Sequence, residues 1–165
     1  MAKTLEERKK IVEGILNSGG MFGVGGCIVD GSVANREVGG VVTGWKFRLD
    51  NLSYRGVWLS TIEGLTVKLD GEEIPHDHMM IELKGVKYPL STLEGHTEVF
   101  WDAKEECNVI IYCIGGLSKG THRIEATILK RGDFGHSYGE GVQGYEDARE
   151  FHTPSVMTSD IEVTI

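Results

Sequence analysis

Stretch after stretch of this chain alternates apolar and polar residues with a period of two. Only half-buried β-strands satisfy that pattern. In Val41–Leu49, the residues Val41, Thr43, Trp45, Phe47 and Leu49 share one face. Leu65-Thr66-Val67-Lys68-Leu69 alternates and runs into Asp70-Gly71. That dipeptide favours a two-residue hairpin turn, because both positions tolerate positive φ. In His122–Lys130, Ile124, Ala126 and Ile128 face one way and Arg123, Glu125 and Thr127 the other. Shorter signals fill the gaps: Cys27-Ile28-Val29 turning at Asp30-Gly31, Met79–Leu83 turning at Lys84-Gly85 into Val86-Lys87-Tyr88, Glu98–Trp101, Asn108–Ile114 and Ile161–Ile165. Ser91-Thr92-Leu93-Glu94 reads as a single helical turn. Many short strands punctuated by glycine turns mean a sandwich or a barrel. The expected fold is all-β, an antiparallel β-sandwich of jelly-roll or immunoglobulin-like type.

Two regions depart from this pattern. Thr4–Asn17 reads as a short amphipathic helix, with Thr4 and Glu7 spaced as a capping box and Ser18-Gly19-Gly20 as its stop. Met21–Gly26 then reads as a flexible connector. Its glycines do not make a dinucleotide fingerprint, because Ile28 stands where the third glycine belongs and no helix follows. This gives an N-terminal helix and connector over 1–26 and a β-sandwich over 27–165, with a long loop at about 131–159. The loop mixes glycines with His136, Tyr138, Tyr145 and His152 and has no periodicity. A loop of this length in a compact domain is functional or disordered, and its aromatics argue for ordering against a partner.

The densest cluster of recognition-type side chains is Tyr54-Arg55-Gly56-Val57-Trp58-Leu59-Ser60. As a strand it would put Tyr54, Gly56, Trp58 and Ser60 on one face and Arg55, Val57 and Leu59 on the other. The plain reading is a core strand with an aromatic anchor. The sharper one presents Tyr54, Arg55 and Trp58 to a partner, since these residue types dominate interface hot spots.

Charge and cysteines bound the function classes. The chain of 165 residues carries 17 Lys+Arg against 25 Asp+Glu, a formal net charge of −8. That argues against a nucleic-acid partner. No apolar run approaches the ~20 residues of a membrane span, and Met1–Glu7 has no apolar signal core. The expected compartment is the cytoplasm. Of the three cysteines, Cys107 and Cys113 would lie roughly 20 Å apart on one strand, too far for a disulfide. Buried or half-buried free thiols are the plain expectation for all three.

No catalytic constellation stands out in the sequence. His76-Asp77-His78 places two histidines on one side of an extended segment, but no third metal ligand is in register, and an exposed turn is the better reading. His122 shares parity with Ile124 and Ala126, which makes it a hydrogen-bonded histidine at the core edge. His136 and His152 lie in the long loop and are the histidines best placed to meet a ligand. Trp101-Asp102 marks a strand end with a buried indole.

Several segments, taken in order, resemble the small (beta) subunit of bacterial C-glycoside deglycosidases. They are Thr43-Gly44-Trp45-Lys46-Phe47, Tyr54–Ser60, Val67-Lys68-Leu69-Asp70-Gly71-Glu72-Glu73-Ile74-Pro75, the Trp101 region and Gly115-Gly116-Leu117-Ser118-Lys119-Gly120-Thr121-His122. The resemblance runs over roughly Val41–Lys130, and the N-terminal helix and the long loop stand outside it. It implies a hetero-oligomer in which a (β/α)₈-barrel large (alpha) subunit carries a divalent metal, manganese, and the acid/base residues. This chain would then hold no cofactor and no catalytic residue. The implied substrate is a 3-oxo-C-glycoside, whose C–C bond to the aglycone breaks by elimination once the oxo-sugar is enolised. Tyr54, Arg55 and Trp58 become the expected subunit contact, and His136, Tyr138, Tyr145 and His152 the expected substrate-proximal loop. A stand-alone carbohydrate-binding sandwich and a purely structural oligomerisation domain are the alternatives.

Overall fold

The computed structural model describes residues 26–51, 56–131 and 154–165. They form an antiparallel β-sandwich, as the alternation requires. The strands are β1 (Ala34–Val38), β2 (Val41–Arg48), β3 (Val57–Trp58), β4 (Ile62–Leu69), β5 (Glu72–Glu73), β6 (Met79–Leu83), β7 (Val86–Pro89), β8 (Phe100–Trp101), β9 (Cys107–Tyr112), β10 (Thr121–Arg131) and β11 (Pro154–Thr164). One sheet has five strands in the order β1-β2-β9-β6-β7, and the other has four in the order β11-β10-β4-β5. β3 and β8 make a small two-stranded ribbon.

Register explains the core. Trp45 pairs with Ile111 and Phe47 with Val109, and on the other side of β9 the same two residues pair with Met79 and Ile81. These side chains project from one face of the five-stranded sheet. From the opposing sheet, Ile128 pairs with Leu65 and Ala126 with Val67. The two sets form one buried cluster. Each fully buried aliphatic side chain in it contributes ~1.5–3 kcal/mol relative to exposure.

The tight turns follow residue chemistry. Asp70-Gly71 (φ 51° and 89°) and Lys84-Gly85 (φ 53° and 76°) close the β4–β5 and β6–β7 hairpins. Gly39-Gly40 (φ 59° and 81°) closes β1–β2 in the same way. Paired positive φ values are what a type I′ turn demands.

Four expectations need correction. Asp30-Gly31 turns, but the chain does not double back there. Ile28 bridges Leu49, and Ala34 farther on pairs with Lys46, so both segments run along β2. Tyr54–Ser60 is not one strand: among its described residues Val57–Trp58 is extended, and Leu59–Thr61 is a 3₁₀ turn. Gly56, at φ 105°, ends the extension on the other side. The last strand begins at Pro154, well before Ile161. Cys27 and Cys107 are buried free thiols as expected, but Cys113 is exposed. The Thr4–Asn17 helix and Met21–Gly25 lie outside the described residues. Among the described residues, no helix is long and apolar enough to cross a membrane.

Candidate functional site

Three surfaces carry chemistry. The first is the corner around Trp58. β3 pairs with β8, placing Trp58 opposite Phe100 and Val57 opposite Trp101. The Trp58 and Phe100 rings meet edge to face at 4.9 Å, and Trp58 stays half-buried. Leu59 and Ser60 turn inward and are fully buried, so Ser60 does not share an open face with Trp58. Behind the ribbon, Trp101 Nε1 donates to the Glu105 carbonyl at 2.9 Å, and Asn51 Nδ2 donates to the Trp101 carbonyl at 3.1 Å. Lys130, fully buried, donates to the Asn51 carbonyl at 2.7 Å. Sequence reasoning did not single out Lys130. Its parity with Ile124, Ala126 and Ile128 was the signal that it points inward.

Of the residues expected to carry the site, Trp58 is therefore on this corner. Tyr54 and Arg55 lie outside the described residues, as do His136, Tyr138, Tyr145 and His152. His76 and His78 sit in an exposed 3₁₀ turn, His76–His78. Among the described residues, no group of three or more His, Cys, Asp or Glu side chains could hold a metal ion.

The second surface joins residues far apart in sequence. His122 Nδ1 meets Asp70 Oδ2 at 2.8 Å, and Nε2 meets the Ser118 carbonyl at 2.8 Å, with Ser118 Oγ at 3.4 Å. The geometry looks like a Ser-His-Asp triad, but it cannot act as one. Nε2 faces the Ser118 carbonyl at 2.8 Å, nearer than Ser118 Oγ at 3.4 Å, so it is placed to donate to that carbonyl and not to take a proton from the hydroxyl. Asp70 also accepts from the Arg123 N–H at 2.8 Å. The group is a clip that ties the β4–β5 hairpin to the loop entering β10. Its histidine side chain is only 12% exposed, which agrees with the core-edge expectation.

The clip gives a pH prediction. The Asp70 hydrogen bond, then the Ser118 carbonyl, raise the His122 pKa above its ordinary value. The hydrogen bond from His122, then the Arg123 N–H, lower the pKa of Asp70. A raised histidine pKa stabilises the fold fully below ~6.5 and is lost as pH rises through the folded value. A lowered carboxylate pKa stabilises above ~3.9 and is lost as pH falls through the folded value. His122→Gln should therefore melt below the parent at about pH 5.5, and the gap should shrink by about pH 9. The effect is modest, because Asp70 is 51% exposed and solvent screens the pair. A gap of equal size at both pH values, followed by circular dichroism melts, would disprove the clip.

The third surface is a shallow groove of about 500 Å³ on the outer side of the five-stranded sheet. Arg36, Val38, Thr43, Lys87, Tyr112, Cys113 and Ile114 line it. Arg36 donates to Thr43 Oγ1 at 3.0 Å and lies 5.8 Å from the centre of the Tyr112 ring. The Tyr112 hydroxyl reaches Met80 Sδ at 3.8 Å.

These features define an all-β sandwich protein. It belongs to the C-glycoside deglycosidase beta subunit family, whose model matches residues 25–134, more than half of the chain. It is 29% identical over 86 residues to a C-glycoside deglycosidase beta subunit of Eubacterium cellulosolvens, an alignment covering 52% of this chain and 58% of that protein. It is 29% identical over 58 residues to a C-glycoside deglycosidase beta subunit of Arthrobacter globiformis, covering 35% of this chain and 44% of that one. The chain thus spans about half the length of the curated relatives it matches. The family name describes one subunit of an assembly with a different partner subunit.

Proposed function

We propose that this chain is the small subunit of a hetero-oligomeric, cytoplasmic C-glycoside deglycosidase. In this reading it supports a (β/α)₈-barrel large subunit that cleaves the C–C glycosidic bond of 3-oxo-C-glycosides as a lyase. The family match over residues 25–134 carries the proposal. The divalent metal, manganese, belongs to the large subunit and supplies Lewis-acid polarisation of the oxo-sugar there. This chain contributes no catalytic residue. It packs against the barrel through Tyr54, Arg55 and Trp58, and its Phe134–His152 segment, with His136, Tyr138, Tyr145 and His152, lies nearest the substrate.

The test is co-expression with the large subunit, followed by a cleavage assay on a 3-oxo-C-glucoside with added manganese. Activity from the co-purified pair alone is the expected result. Trp58→Ala and Arg55→Ala should each weaken association roughly tenfold or more, the range of interface hot spots. Unchanged assembly in both variants would remove these residues from the interface. The exposed Tyr112 ring on an open sheet face is what a stand-alone sugar-binding module would use. Saturable sugar binding by the lone chain would favour that second reading.

A further inference from the structure

Among the described residues, the exposed large apolar side chains are unevenly spread. Val38 (50% exposed), Val41 (54%), Tyr112 (37%) and Ile114 (83%) gather where the β1–β2 hairpin meets the end of β9. Gly115 N–H donates to the Val42 carbonyl and Cys113 N–H to the Thr43 carbonyl, which holds Ile114 beside that hairpin. Contiguous apolar surface with arginine and tyrosine beside it marks a protein contact.

Charge identifies the kind of partner. The groove holds two cations, Arg36 and Lys87, and no carboxylate among its lining residues. Lys87 has one acidic neighbour, Glu82, at 3.7 Å. Lys46, on the same outer face, lies in a separate hollow with Lys84, Glu82, Glu105 and Glu106 and adds nothing to the groove's charge. A groove lined by two cations and no carboxylate is a local inversion of sign on a chain of net charge −8. Docking this face on itself across a two-fold axis would set cation against cation. An apolar surface rimmed with carboxylates fits it instead.

We propose that this groove docks the large subunit through an apolar, carboxylate-rimmed patch on that subunit. The proposal rests on the reading of the chain as one subunit of a complex. It adds a contact separate from the Trp58 corner. The ribbon carrying Trp58 adjoins Glu105, just before β9 begins, whereas the groove sits at the far end of β9, about 17 Å along a strand of that length.

The experiment titrates the full-length chain against the large subunit by sedimentation velocity. Ile114→Asp and Val38→Asp place a carboxylate in the groove at two positions already half or more exposed. Ile165→Asp makes the same change at an exposed apolar position (36%) just past β11, in the opposing sheet. Both groove variants should bind at least tenfold more weakly, and Ile165→Asp should match the parent within twofold. Lys87→Glu should also weaken binding, and raised salt should shrink that effect. Equal melting temperatures across the set exclude misfolding as the cause. Parental affinity in both groove variants overturns the proposal. It is also overturned if those variants dissolve a self-association of the lone chain and leave the two-subunit complex intact. If the parent chain does not associate with the large subunit at all, the subunit reading falls and takes this proposal with it.

Discussion

Trp101→Ala should destabilise the domain by about 3–5 kcal/mol, the range for truncating a fully buried aromatic. The indole is 1% exposed and belongs to the main buried cluster. It does three jobs at once. Its ring fills the core, its Nε1–H satisfies the Glu105 carbonyl, and its main chain pairs with Val57 while accepting from Asn51. Only the first two vanish with the side chain. Trp101→Phe separates them, because it keeps most of the ring and removes the N–H. That variant should cost about 1–2 kcal/mol, mostly from the carbonyl left without its donor. Urea unfolding with unchanged m values would measure both. A cost below ~1 kcal/mol for Trp101→Ala would mean the corner collapses to fill the space, and the indole would not be its anchor.

Local chemistry was legible in the sequence, and long-range partnership was not. The alternation in Val41–Leu49 places Trp45, Phe47 and Leu49 in the core because a half-buried strand has no other way to satisfy it. Asp70-Gly71 and Lys84-Gly85 announce their turns through residue type alone. β1 was not legible. Ala34–Val38 is a largely exposed edge strand whose order comes from pairing with β2, so it carries no apolar alternation of its own. The same holds for the first half of β11, whose Ser155, Met157, Thr158 and Ser159 read as loop until β10 is beside them. The segments that carry the family resemblance prove to be fold-determining. Val67–Pro75 holds the β4–β5 hairpin, and Gly115–His122 is the loop that Asn35 clamps. Asn35 Oδ1 accepts from the Leu117 N–H at 2.7 Å, and Nδ2 donates to the Leu117 carbonyl at 3.0 Å. On the candidate surfaces, Trp58 could be picked out because it is a large aromatic in a short cluster. The groove could not, since Arg36, Thr43, Lys87 and Ile114 come from separate segments that only the sheet order brings together.

Gly56→Ala should be the most damaging single methyl in the Trp58 corner, at roughly 3–5 kcal/mol from strain and overpacking combined. Two costs add here. At φ 105° the backbone sits where an L side chain is strained. A Cβ there would also stand 2.5 Å from the Trp101 carbonyl oxygen and 2.8 Å from Phe100 Cζ. The phenyl ring can shift, but the carbonyl is fixed by the β3–β8 pairing and by Asn51. Gly71→Ala isolates the first cost. Gly71 has a similar φ of 89° and nothing within 4 Å of its would-be Cβ, so that variant should lose only the strain, about 1–2 kcal/mol. The difference between the two variants is then the price of forcing β3 away from β8. Because Trp58 lies two residues on and packs on Phe100, Gly56→Ala should also weaken association with the large subunit, whereas Gly71→Ala should not. Equal stability losses in the two variants would show that the corner yields freely to the methyl. Trp58 would then be held too loosely to serve as a preorganised contact.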